Sequence, residues 1–97
     1  MPISYRAAQS LIKRGDEPAL HAALSTGLDP NLANHNGWTL LMLAAVEGAV
    51  PLATLLLSRG ANPAAQNKSG DTALTIAQHR GYTLLVDLFN SHAASAT

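Results

Sequence analysis

Apolar positions in this chain fall in short helical runs, and the runs themselves recur. Over residues 4–14, Ala8, Leu11 and Ile12 stand at i, i+3 and i+4, with Arg6, Gln9, Ser10 and Lys13 on the other face. That spacing predicts an amphipathic helix, ended by Gly15. An acid before Pro is a helix start, so Asp16, Glu17 and Pro18 predict a second helix to about Ser25. Leu20, Ala23 and Leu24 are its inward face, and Gly27 closes it. Residues 28–38 lose the helical period and carry Pro, Asn and Gly. The pair Asn36-Gly37 predicts a tight turn there, both residues accepting positive φ. Thr39 then reads as an N-cap for a helix over 40–47 that stops at Gly48. Pro51 opens a helix filled by Leu52, Leu55, Leu56 and Leu57 and ended by Gly60. A third pass follows: a loop over 61–71 turning at Ser69-Gly70, a Thr72 cap, a helix over 73–80 and a stop at Gly81. The last helix is expected over 83–90, with Leu85, Val86, Leu88 and Phe89 apolar, and a small, polar tail over 92–97 is expected to fray.

The punctuation keeps a fixed period. Gly15, Gly48 and Gly81 are each 33 positions apart. So are Gly27 and Gly60, Pro30 and Pro63, Asn34 and Asn67, Gly37 and Gly70, and Thr39 and Thr72. Apolar positions follow: Leu24 with Leu57, Leu52 with Leu85, Leu55 with Leu88. A turn, a Thr cap and two short helices repeated at one period predict a stacked array of supersecondary units.

On these residues the chain resembles the ankyrin repeat family. The stretch Leu57-Ser58-Arg59-Gly60-Ala61-Asn62-Pro63 is similar to the motif that closes each unit of that family, and 24–31 resembles it too. The resemblance implies an all-α solenoid of three helix-turn-helix repeats joined by short hairpin loops. They form one domain over 1–97, with repeats at about 3–33, 34–66 and 67–91. The family's Thr-Pro-Leu-His reads here Thr39-Leu40-Leu41-Met42 and Thr72-Ala73-Leu74-Thr75. Both caps are kept. The Pro and His are not, and losing the His is expected to loosen the tie between helix start and loop. The end repeats differ from the middle one in the direction of caps. Leu41 and Leu43 become Ala8 and Ser10 in the first, while Met42, Ala45 and Leu57 become Thr75, Gln78 and Asn90 in the last. Polar outer faces at both ends lead to the expectation of a complete three-repeat protein.

Composition narrows the function. Of the 97 residues 47% are hydrophobic and only 12% charged, with formal net charge zero. Cut at the repeat period, each third is also balanced, so no part has the cationic excess that drives phosphate binding, and nucleic acid is not an expected partner. There is no cysteine, which removes disulfides, thiolate metal sites and cysteine catalysis. Residues 1–10 lack the apolar core of a signal peptide, and no apolar run is long enough for a membrane span. A cytoplasmic protein away from membranes is the default expectation.

Candidate chemistry is sparse. His21, His35, His79 and His92 stand in no metal-ligand spacing, no serine sits in a nucleophile elbow, and no Gly-rich phosphate loop occurs. Neither a cofactor, a metal nor enzyme activity is expected. Trp38 is the only tryptophan and lies at a turn. It either packs over the adjacent loop or serves as an aromatic anchor for a partner. Members of the family bind through the concave face of loop tips and inner helices. By position, the resemblance assigns partner binding to His35, Asn36, Trp38 and Glu47, and to Lys68, Ser69, Asp71 and Arg80 in the third repeat. Asn34, Asn67, Lys13, Arg14, Val46 and His79 fall on the same strip. The implied function is a protein-binding module that is a monomer, with weak self-association as an open alternative. A second reading is a small inhibitor or immunity-type protein that masks one enzyme or toxin.

Overall fold

The computed structural model describes residues 3–95, with side chains to His92. Its elements are α1 (Tyr5–Arg14), α2 (Glu17–Ser25), α3 (Leu40–Glu47), α4 (Val50–Ser58), α5 (Ala73–Arg80) and α6 (Thr83–Ser95). The helices start where side chains can take up free backbone N–H groups. Ser4, Asp16, Thr39 and Thr72 accept from Ala7, Ala19, Met42 and Thr75. α4 begins without such a bond, at Ala49, and has Pro51 in its first turn. Each inner helix ends on the periodic glycine, Gly15, Gly48 or Gly81, whose own N–H returns to the last turn.

Helices pair within each repeat, α1 with α2, α3 with α4 and α5 with α6. The pairs stack in two layers, α1–α3–α5 inside and α2–α4–α6 outside. The middle repeat has neighbours on both sides, so Leu40, Leu41, Met42, Leu52 and Leu56 are all buried. Ile12 and Leu20 close the core from the first repeat, Leu85 and Phe89 from the third. This is an all-α solenoid; among the described residues the extended structure is a single bridge between Ala33 and Thr39.

Three expectations change. The last helix runs to Ser95, past the end expected at Asn90. Nothing between Thr83 and Ser95 breaks a helix, and Ala93 and Ala94 favour one; residues 96–97 lie outside the described part. The outer side of the first repeat is mixed, with Ser10, Arg14 and Thr26 beside a larger apolar surface. Ala8 is buried, and Ile3, Ala7, Leu11, Ala19 and Ala22 line a shallow apolar groove of about 640 Å³ on α1 and α2. The polar substitutions Ser10, Gln78 and Asn90 are exposed as expected. The third difference concerns the position where the family motif carries His. Thr75 takes up its role in the last repeat, accepting from Thr72 N at 2.8 Å and donating to Thr72 O at 2.9 Å, while Thr72 Oγ1 accepts from Thr75 N at 3.1 Å. The helix start is therefore closed by a reciprocal capping box.

Candidate functional site

The loop before α3 is built around one side chain. Asn34 Oδ1 accepts from the backbone N–H of Asn36 and of Trp38, both at 3.0 Å. Gly37 N–H donates to Asn34 O at 2.9 Å, and Asn34 N–H to Trp38 O at 3.1 Å. Asn at the first position and Gly at the fourth is the residue pattern of a type I turn. Gly37 has φ +81°, and no other residue of this turn has positive φ, so the expectation of a left-handed Asn36 is overturned. The internal acceptor on Asn34 holds the turn instead.

The same device stands 33 residues on. Asn67 Oδ1 accepts from Ser69 N at 2.9 Å and Asp71 N at 3.0 Å, with Gly70 N–H on Asn67 O. Asn67 is buried, its side-chain oxygen held by the loop and its Nδ2 without a hydrogen-bond partner, so it stands apart from the binding strip where the resemblance put it. The two turns are laced together. Lys68 N–H donates to Asn36 O at 3.0 Å, and Gly37 of the first turn lies close against the backbone of Asn67 in the other. Further back, Asn31 spans the first two repeats, accepting from Asn62 N at 2.7 Å and donating to Gly60 O at 3.1 Å.

These loops stand against the inner helices and enclose a concavity of about 500 Å³. Its loop wall is Asn34, Asn36 and Trp38; its floor is Ile12, Leu43 and Val46. The α1 wall carries Tyr5, Gln9 and Lys13, which share a helix face at i, i+4 and i+8. Glu47 ends α3 on the rim and Arg80 ends α5. Trp38 is half-buried, so neither alternative for it holds alone: it packs against the core and also lines the open space. The Tyr5 hydroxyl is buried and without a hydrogen-bond partner, and burial raises its pKa above the usual tyrosine value. Lys13, Glu47 and Arg80 form no ion pair with one another; the only salt bridge among the described residues joins Arg14 to Asp16 at 3.3 Å.

Of the residues expected on the strip, Asn36, Trp38, Glu47 and Arg80 come together around this concavity, with Asn34, Lys13 and Val46. His35, Lys68 and Ser69 are exposed loop residues outside its lining, and half-buried Asp71 also lies outside it. Tyr5 and Gln9 were not among the expected residues. The signal was their spacing with Lys13 on α1. Tyr82 packs beside Gly48, where an added Cβ would meet its ring at 3.2 Å. Among the described residues no group of three or more His, Cys, Asp or Glu could hold a metal ion, and no helix is long and apolar enough to cross a membrane.

The family model for ankyrin repeats matches three copies over residues 5–96. The chain belongs to the ankyrin repeat family. Comparison with curated proteins gives no match. Ankyrin repeats are generally protein–protein interaction modules, and family members are typically not enzymes.

Proposed function

We propose that the concavity walled by Trp38 is the surface through which this ankyrin repeat chain binds a partner protein. The observation that carries the reading is Trp38 itself. Its backbone is fixed by Asn34, its ring is half-buried, and it faces an apolar floor with unpaired charges on the rim. A rigid aromatic in such a setting has the character of a binding hot spot. The role is recognition rather than catalysis. No serine, cysteine or histidine lines the concavity, so a Ser–His or Cys–His pair has no place there.

Affinity capture from native lysate, quantified with wild type, Trp38→Ala and Thr54→Ala side by side, tests this. Thr54 is exposed on α4, in the outer layer. Trp38→Ala is expected to weaken retention of the captured partner by about 30-fold or more, the effect of losing a hot spot, and Thr54→Ala to leave it unchanged. Equal retention by a folded Trp38→Ala variant would move the binding surface elsewhere.

A further inference from the structure

Resting on that reading of the concavity, we propose that its occupant is an extended partner segment with two acidic residues about five to six positions apart, an apolar residue between them and no acid at the centre. The charges set this pattern. Lys13 on α1 and Arg80 on α5 stand at opposite ends of the lining, and Glu47 on α3 stands between them. None of the three has an opposite charge within salt-bridge distance among the described residues. The lining is thus plus–minus–plus, and a complementary chain reads acid, non-acid, acid.

The fold sets the spacing. α1 packs on α3 and α3 on α5. Two steps of roughly 8–10 Å each separate the outer helices. An extended chain advances about 3.3 Å per residue, so this distance is covered in about five to six residues. Between the cations the floor is Ile12, Leu43 and Val46, with Trp38 in the facing loop wall. An aliphatic or aromatic side chain of the segment fills that space. Asn36 and Gln9 flank it with amide donors and acceptors for the backbone of the bound strand. An acid at the centre of the segment would stand against Glu47 and be rejected, which gives the pattern specificity as well as attraction.

The test is selection of random 12-residue phage-displayed peptides on the full chain, followed by fluorescence polarisation with the selected peptides. The expected consensus is two Asp or Glu residues about five to six apart around an apolar residue. Lys13→Glu and Arg80→Glu are each expected to weaken binding about tenfold or more. Replacing the matching peptide acid by Lys is expected to restore affinity for the corresponding variant and to lower it for wild type. A neutral or basic consensus whose binding is still lost in Trp38→Ala overturns the acidic pattern and keeps the concavity as the binding surface. Peptides that bind folded Trp38→Ala as tightly as wild type overturn both. Enrichment no greater than on a Lys13→Glu/Arg80→Glu double variant overturns the acidic pattern.

Discussion

Gly37 and Asn67 touch backbone to backbone: a Cβ added to Gly37 would stand 2.9 Å from Asn67 Cα. Gly37 also has φ +81°. Two independent restrictions meet at one residue, and only the second applies at Gly70, which has φ +84° and open space around it. Gly70→Ala is expected to cost about 1–2 kcal/mol, the left-handed penalty for an L-residue. Gly37→Ala is expected to cost clearly more, because the obstructing atom is main chain and moving it strains the Lys68–Asn36 hydrogen bond. Urea denaturation of the two variants checks this, and equal losses would contradict the close approach.

Asn31 predicts how the first repeat is held. Its side chain donates to Gly60 O and accepts from Asn62 N. Between the second and third repeats the turns are joined main chain to main chain, through Asn36 and Lys68. Asn31→Ala is expected to cost about 1–3 kcal/mol, since two hydrogen bonds are lost at an exposed site. In a stack whose units contact only their neighbours, the loss should appear as weaker protection of α1 and α2 amides, with α5 and α6 little changed. Native-state hydrogen exchange reads this out.

Leu56 is fully buried on α4. Leu56→Ala is expected to cost about 2–5 kcal/mol through lost burial and the cavity left behind. A thermal melt that moves by less than a degree would contradict its place at the centre of the core.

Tyr5 predicts a gain. Its hydroxyl is buried with no acceptor, so Tyr5→Phe removes an unsatisfied group and is expected to stabilise the fold by up to about 1–3 kcal/mol. The sign with pH follows from the raised pKa. The folded state holds the neutral phenol, so the unfolded chain ionises first as pH rises past the ordinary value of 10.0. Wild type should therefore lose stability above that pH more steeply than Tyr5→Phe, with the two curves parallel below it. Denaturation midpoints across the alkaline range measure the difference.

How much of this was legible in the sequence differs by element. Thr39 and Thr72 mark helix starts and Gly48 and Gly81 mark helix ends through interactions local to the chain, so the helix boundaries there could be read directly. The site depends on which of its polar residues are free. Asn34 and Asn67 sit in the strip like any loop asparagine, yet the side-chain oxygen of each holds its own turn. Nothing in the order of residues distinguishes Asn36, which lines the concavity, from Lys68, which does not. Tyr5 and Gln9 share a concavity with Trp38 only because α1 packs on α3, a contact more than twenty residues distant in sequence. The mixed outer side of α1 and α2 was misread for a related reason. Ser10 suggested a polar cap, but Ile3, Ala7 and Leu11 dominate that face.

The lacing of the two turns has a practical meaning for anyone following this protein in solution. The Lys68 amide proton belongs to the third repeat, yet it is held by a carbonyl of Asn36, a residue of the concavity wall. Any event that shifts the Asn36 turn must change the field at that proton, even though Lys68 itself lies outside the lining. A single backbone resonance on a neighbouring unit is thus a built-in reporter of occupancy. It needs no label in the concavity and leaves Trp38 undisturbed.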